Sequence, residues 1–321
     1  MLILIILFSI VIFFAINMGA SGIAPSFAVS FCTKIIKRKT SILLFGLFVV
    51  LGAILLGHNV TKTLGGGILQ KNYFSFNIVL IILFSSSLGL FIANVLKVPQ
   101  STSWATVFSI VGSGVSIGHI NWEKFLIIIP FWIILPLASY FLTLFFYSKI
   151  YPPKFKNLWV YEKIFINEKT IKKLSIIASC YVAFAIGTNN VANAVGPLVA
   201  GGFIKNITFG LFFIGLLFIF GAFFWGEKTM CTMGNEIVAL GTTTATIINL
   251  VTATLLIFAS VLGIPQSLVQ LNAASVFAVS HTKNGFYQTA SHKITKKTLL
   301  VWLISPSIAF LSSFLLTGVI K

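Results

Sequence analysis

The stretch that decides the fold is Gly187-Thr188-Asn189-Asn190-Val191-Ala192-Asn193-Ala194-Val195-Gly196-Pro197, which lies inside an otherwise apolar run from 174 to 204. In hydrocarbon, a polar group without a hydrogen-bond partner is strongly destabilising. We therefore interpret this polar cluster as a binding site. The simpler alternative is that small and amide residues only hold neighbouring helices together in the lipid.

The same stretch suggests how such a site is built. We expect Gly187 to break the helix, and Asn189 or Asn190 to cap a second half-helix. The free N–H groups and the positive dipole end of that half-helix would then face an anion. Broken helices of this kind line the substrate cavities of secondary transporters.

The composition is that of a polytopic membrane protein. Of the 321 residues, 58% are hydrophobic and 8% are charged, and the mean hydropathy is +1.04. In a soluble protein a net charge of +17 would favour nucleic acid binding, but here the lysines fall in short connections between apolar segments. They act as topology signals, so we expect the bilayer as a partner and no nucleic acid.

No cofactor or metal site is indicated. Cys32, Cys180 and Cys231 are isolated, with no histidine at ligand spacing. The chain has five glutamates and no aspartate, and none of them is evident at membrane depth. A membrane enzyme would need a nucleophile, an acid–base pair or a metal at depth, and because none is visible we expect no enzymatic activity.

Apolar segments long enough to span a bilayer number ten. Two of them, 101–118 and 266–281, are rich in small and hydroxyl residues and are compatible with re-entrant hairpins as well as with crossings. The ten segments are 2–33, 41–57, 76–96, 101–118, 124–149, 174–204, 208–226, 236–262, 266–281 and 298–320.

These segments fall into two matching sets of five. Gly19-Ala20-Ser21-Gly22 precedes Gly187-Thr188-Asn189-Asn190 by 168 residues, and Pro99-Gln100-Ser101 precedes Pro265-Gln266-Ser267 by 166. The near-constant offset indicates an internal duplication, with a first repeat over 1–149, a linker over 150–173 and a second repeat over 174–321. An odd number of crossings per repeat predicts an all-α membrane protein of two inverted repeats, with broken helices or re-entrant hairpins at the centre.

The basic residues predict the orientation. If all ten segments cross, 17 of the 22 lysines and arginines fall on one side of the membrane, including those of the 150–173 linker. Positive charge is enriched on the cytoplasmic side. We therefore expect a cell-membrane protein with both termini outside and the linker in the cytoplasm.

A second polar cluster is Pro99-Gln100-Ser101-Thr102-Ser103, which the second repeat matches with Pro265-Gln266-Ser267. Proline before a hydroxyl-rich turn favours a helix start, so hydroxyls and free N–H groups could again face one anion. Serine and threonine in membrane helices mostly bond their own helix carbonyls. The recurrence in both repeats nevertheless favours a site.

This repeated pattern resembles the inorganic phosphate transporter (PiT) family, which carries G-A-N-D-x-A-N-x-x-G and P-x-S-T-T-H signatures in each inverted repeat. Residues 187–196 match the first signature except that Asn190 replaces the aspartate, whereas Ser21 and Gly22 replace the Asn-Asp pair of the first repeat. Ser101 and Thr102 match the second signature. By this resemblance a homodimer is also expected.

Residues 17–22, 189–200 and 283–285 are similar to those of the bacterial sulfate permeases of that family. This resemblance implies sulfate, and thiosulfate with it, as the substrate. Sulfate at neutral pH is a dianion with acceptors only, so a site of donors suits it and an aspartate would repel it. The absence of the family's two aspartates also removes the obvious ligands of a coupled proton or sodium ion. A phosphate transporter with degenerate motifs and an anion channel are the alternatives.

The sequence thus predicts an alternating-access sulfate importer, coupled to protons or sodium. Its expected substrate-binding residues come from both clusters of both repeats, and they are Gly19, Ser21, Ser101, Thr102, Ser103, Gly187, Asn189, Asn190, Asn193 and Ser267.

Overall fold

The computed structural model describes residues 2–95, 101–151, 155–160, 168–237, 241–291 and 293–320. In these ranges the regular backbone is helical throughout. The α-helices are α1 Leu2–Cys32, α2 Arg38–Leu56, α3 His58–Lys62, α4 Phe76–Val95, α5 Thr102–Ile117, α6 Trp122–Ile150, α7 Leu158–Val160, α8 Glu168–Asn189, α9 Ala192–Ala200, α10 Ile207–Ile237, α11 Thr242–Val261, α12 Leu268–Asn284, α13 Phe286–Ser291 and α14 Lys293–Ile320.

The long helices confirm an all-helical, multi-pass membrane protein. Within the described ranges, seven helical stretches are long and apolar enough to cross a bilayer, and they lie in α1, α2, α6, α8 with α9, α10, α11 and α14. Residues 76–92 of α4 and the whole of α5 are apolar but shorter. At 16 residues, α5 is about 24 Å long, less than the roughly 30 Å thickness of the hydrocarbon core.

The central break lies where a broken helix was predicted, but Gly187 does not cause it. Helix α8 continues through Gly187 to Asn189, and the turn is formed by Asn190 and Val191. The expectation that Gly187 ends the helix is therefore wrong. Its missing side chain serves packing instead, because a Cβ at Gly187 would lie 2.0 Å from the carbonyl oxygen of Val49 on α2.

Helix α10 is longer than the predicted segment 208–226. It runs on to Ile237, so the helix includes polar residues that follow the apolar segment. Glu227, in this extension, forms an ion pair with Arg38 at 3.1 Å. Both side chains are substantially exposed, so this pair belongs to the surface of the bundle and not to a site at membrane depth.

Two close helix crossings join the halves of the chain. Helix α1 crosses α10, where a Cβ at Gly19 would lie 2.2 Å from the Phe218 oxygen and one at Gly221 would lie 2.0 Å from the Ile16 oxygen. Contacts this short exclude any side chain at either glycine. The two backbones are therefore in direct contact, which is how helices associate in lipid.

The second crossing has the same construction with the halves exchanged. Helix α8 crosses α2, where Gly187 faces the Val49 oxygen and a Cβ at Gly52 would lie 2.0 Å from the Phe184 oxygen. Gly19 and Gly187 are 168 residues apart, and Gly52 and Gly221 are 169 apart. An internal duplication accounts for this reciprocity, while the inversion of the second repeat stays a prediction.

Hydroxyl groups join two further pairs of helices, each with one helix from either half of the chain. Between α5 and α14, Ser113 lies 2.7 Å from Ser313, and between α6 and α12, Ser139 lies 2.8 Å from Ser275. Each half thus packs its helices mainly against those of the other half. Of the predicted 150–173 linker, residues 152–154 and 161–167 lie outside the described residues, so the repeat boundaries stay predictions.

The crossings yield a stability prediction. We expect Gly187→Ala and Gly52→Ala each to lower the free energy of unfolding by about 2 kcal/mol, because the new methyl group would overlap a backbone oxygen. Gly318→Ala is the matched control, since its Cβ would meet only Ser116 Oγ at 3.5 Å. Thermal unfolding in detergent measures the effect, and equal melting temperatures for all three variants would contradict it.

Candidate functional site

Three helix N-termini, those of α5, α9 and α12, meet in the interior. On α9, Asn193 Nδ2 donates to Thr102 Oγ1 at 3.2 Å and to Ser103 Oγ at 3.4 Å, both at the start of α5. Ser103 Oγ in turn donates to the carbonyl of Gln266, two residues before α12, at 3.0 Å. Because helix N-termini carry partial positive charge, their convergence favours a bound anion.

The predicted helix starts at the second cluster are confirmed in both halves. Ser101 is the N-cap of α5 and its hydroxyl accepts from the Trp104 N–H at 3.1 Å. Ser267 is the N-cap of α12 and accepts from the Gln270 N–H at 3.3 Å. Each cap satisfies one N-terminal amide and leaves others at the same end as donors. Pro99 and Gln100, predicted to precede α5, lie outside the described residues.

Asn189 is a clamp and does not cap α9. The N-cap of α9 is Val191, which makes no side-chain cap bond, so the prediction of an asparagine cap is wrong. Instead, Asn189 Nδ2 donates to Ser260 Oγ at 2.9 Å and to the Ile264 carbonyl at 3.0 Å, and its Oδ1 accepts from the Gln266 N–H at 3.0 Å. These bonds hold the chain segment leading into α12 against the end of α8.

Several amide atoms around this junction have no hydrogen-bond partner among the described residues. They are Asn190 Oδ1, Asn193 Oδ1, both amide atoms of Gln266 and Gln270 Oε1. Asn193 and Gln266 are fully buried. Buried polar groups are normally bonded, so amides left open together at three helix N-termini mark a place suited to a polar ligand. We name the set Thr102, Ser103, Asn190, Asn193 and Gln266 the central amide cluster.

The central amide cluster contains no ionised side chain. The chain has no aspartate, and the two glutamates whose side chains the structure describes lie elsewhere. Glu227 pairs with Arg38 and Glu123 is exposed in the first turn of α6. The electrostatics of the cluster therefore come from neutral groups. The Thr102 hydroxyl, the Gln266 Nε2 and the helix N-terminal amides can donate to an anion, whereas the open amide oxygens of Asn190, Asn193 and Gln266 only accept hydrogen bonds.

The structure joins some of the predicted residues and not others. Thr102, Ser103 and Asn193 are in direct contact, and Asn189 is linked to them through Gln266. Ser21 donates to the Met18 carbonyl of its own helix at 3.1 Å. Gly19 and Gly187 lie at the helix crossings described above, and Ser101 and Ser267 act as caps.

Two residues were missed by the sequence prediction. Gln266 lies within the second signature but was not among the predicted binding residues. A glutamine inside an apolar segment would have been sufficient to include it in the predicted site. Ser260 gave no signal, because a serine in an apolar helix usually bonds its own helix, as Ser260 does with the Leu256 carbonyl at 2.8 Å. Only its contact with Asn189 shows its second function.

Comparison with known proteins agrees with this architecture. A model of the phosphate transporter family matches residues 18–313. The sulfate permease CysP of Bacillus subtilis is 36% identical over 315 residues, covering 98% of this chain and 86% of that protein. A putative phosphate permease of Thermococcus kodakarensis is 24% identical, covering 92% of this chain and 93% of its own length.

A solved structure has the same fold. It is described as the sodium-dependent phosphate transporter, and it matches with a TM-score of 0.86 and 23% identity over 100% of this chain and 99% of its own. Both the family match and the 36% identical relative extend over nearly the whole sequence. The protein is a membrane transporter of inorganic anions and not an enzyme, and the chain belongs to the phosphate transporter family.

Proposed function

We propose that the protein is a secondary active importer of inorganic sulfate, with thiosulfate as a second substrate. The observation that carries this proposal is the central amide cluster, in which hydroxyls, the open Gln266 Nε2 and three helix N-termini meet without a carboxylate. Thr102, Ser103, Asn190 and Asn193 bind the anion in this proposal. Asn189, Ser101 and Ser267 position them, and Gly19 and Gly187 let the surrounding helices pack closely, while Ser21 bonds its own helix.

The choice of sulfate over phosphate follows from the protonation of the two ions. Phosphate at neutral pH carries at least one proton and can donate it to a carboxylate, whereas sulfate only accepts hydrogen bonds. An asparagine at position 190 therefore suits sulfate. The 36% identical relative, named a sulfate permease, supports the same choice. Phosphate is the second candidate, because the family and its more distant relatives are named for it.

Import of a dianion into a negative-inside cell requires a coupled cation, since each charge moves against about 2.3 kcal/mol per 100 mV. We propose a proton or a sodium ion. The unpartnered oxygens of Asn190, Asn193 and Gln266 are neutral oxygen ligands of the type that a sodium ion accepts. The similar fold of a transporter described as sodium-dependent is compatible with sodium.

We further propose that the protein works in the cell membrane with both termini outside and the 150–173 linker in the cytoplasm. The support is the distribution of the 22 basic residues between the two sides. Many large apolar side chains on the outer faces of the long helices are exposed, as expected for contact with lipid or with a second copy in a homodimer.

The direct test is uptake of radiolabelled sulfate into proteoliposomes, with a proton or a sodium gradient and with excess unlabelled phosphate. We expect saturable uptake that phosphate does not reduce and that follows one of the two gradients, since a carboxylate-free site does not favour a protonated anion. Protein-free liposomes are the control. Uptake abolished by phosphate would identify a phosphate site instead, and uptake that does not saturate would indicate a channel.

Asn190 provides a selectivity test. We expect Asn190→Asp to lower sulfate uptake about tenfold or more, because a carboxylate beside a dianion is repulsive and costs several kcal/mol. Asn206→Asp is the matched control, since Asn206 accepts from the Phe209 N–H at the exposed start of α10. If both variants take up sulfate like the unaltered protein, Asn190 does not contact the anion.

Gln266 separates a binding function from a packing function. Leucine in place of a buried amide that lacks partners removes a desolvation penalty, so Gln266→Leu should leave the melting temperature unchanged or raise it. We expect sulfate uptake to fall about tenfold all the same, since hydrogen bonds to an ion are lost. The exposed Gln70→Leu is the control. A stable variant with normal uptake would remove Gln266 from the site.

A further inference from the structure

A narrow cavity, lined mostly by apolar atoms but with two asparagines in its walls, lies between α1, α11 and α12, separate from the central amide cluster. Pro25 and Val29 form its α1 wall, Asn249 lies on its α11 wall, and Asn272 and Val276 lie on its α12 wall. None of these residues takes part in the helix junction at Asn193, Ser103 and Gln266. The cavity is therefore a second feature of the interior that carries amide groups.

Both amides of this cavity lack protein partners. Asn249 is 9% exposed and Asn272 is 7% exposed. Within the part of the chain that the structure describes, neither side chain has a hydrogen-bond partner. An amide in a helical membrane protein normally bonds a neighbouring helix, because an unpaired one is destabilising. These two amides reach the cavity without a protein partner, so they can bond water or a polar ligand there.

The corresponding place in the first half of the chain is closed. Helices α4 and α11 have equal length and start 166 residues apart, as do the starts of α5 and α12, so Asn249 corresponds to Leu83 and Asn272 to Thr106. Both Leu83 and Thr106 are fully buried, and the Thr106 hydroxyl bonds its own helix at 3.1 Å. The amides of Asn249 and Asn272 are therefore present in the second half of the chain and have no counterpart in the first half.

The α1 wall differs in the same way. Pro25 corresponds, at the 168-residue offset, to Asn193, which ties α9 to α5 through its amide. Proline has no such amide, so α1 lacks the equivalent tie to α12 and the cavity lies between them. One gap between the halves is closed by hydrogen bonds and an apolar core, while its counterpart is a small cavity whose walls include two asparagines.

The position of the cavity connects the central site with the basic end of the bundle. Asn272 follows Ser267 by five residues, about 7.5 Å further along α12, in the direction of Lys283. Helix α1 likewise leads from Pro25 to the basic connection that contains Lys34, Lys37, Arg38 and Lys39. An anion released along this path would meet amide donors first and positive charge next.

We propose that Asn249 and Asn272 form a second anion-binding position, through which sulfate passes between the central amide cluster and the lysine-rich end of the protein. This inference rests on the proposed function. In the conformation described, the cavity has room for about one water molecule, so α1 and α12 separate when the anion passes. That separation is the opening movement expected when one repeat rocks against the other.

The first test replaces Asn249 and Asn272 with the residue types found at the corresponding positions of the first half, leucine and threonine. We expect Asn249→Leu and Asn272→Thr to lower the rate of sulfate uptake about tenfold, since donors to an ion are lost on the path. Equilibrium sulfate binding in detergent should change less than about twofold, because the central cluster is untouched. Asn284→Leu, at the exposed end of α12, is the matched control.

Unchanged uptake by both variants would overturn the proposal. Equal losses of binding and of uptake would also overturn it, because the amides would then support the central site. If either variant fails to fold, a second measurement decides. Asn272→Cys is made in a chain whose three native cysteines are replaced by alanine, and it is labelled with a negatively charged thiol reagent.

We expect saturating sulfate to slow this labelling at least severalfold. Labelling that sulfate does not slow, in a protein that still takes up sulfate, would refute the second position and leave the proposed function intact. Absence of sulfate uptake by the unaltered protein, with protection of the cysteine by phosphate instead, would refute the proposed substrate. The two failures are therefore distinguishable.

Discussion

The structure depends on the meeting of three buried helix N-termini, whose first N–H groups have no partner within their own helices. The junction exists because Asn193 bonds the start of α5 while Ser103 bonds the residue before the α12 cap. The α8–α9 break supplies the third N-terminus, and the Asn189 clamp fixes the segment that leads into α12. In such surroundings an anion is the ligand that satisfies donors and dipoles together.

The glycine crossings hold this junction in place. In a bilayer the hydrophobic effect does not favour contact between two helices over contact with lipid tails. Helices therefore associate through close packing and hydrogen bonds. Gly19 with Gly221, and Gly52 with Gly187, bring backbones into direct contact on two sides of the centre. Because each crossing joins one half of the chain to the other, neither half can place its share of the site alone.

Neutral amides and charged groups would give different transporters on this framework. A carboxylate at position 190 could accept a proton from phosphate or bind a cation through its negative charge. The amide of Asn190 has no charge to offer either ion. In the proposed function, the hydroxyls and helix N-termini of the central amide cluster suit an ion that only accepts hydrogen bonds. The cavity at Asn249 and Asn272 lies on one side only of the duplicated framework, because the corresponding residues Leu83 and Thr106 are fully buried.

The sequence by itself determined the membrane class, the extents of most helices and the capped starts of α5 and α12, and its offsets predicted the duplication. These follow from local hydropathy, from offsets within the chain and from the preference of serine for helix N-caps, all of which act over a few residues. It also grouped Asn193, Thr102 and Ser103, which the structure brings into contact. Only the tertiary structure decided the position of the break, the packing function of Gly187, the clamp made by Asn189 and the open amides of Gln266, Asn249 and Asn272. Each of these depends on partners some 70 or more residues away, or on their absence, and which groups meet is set by helix packing rather than by local sequence.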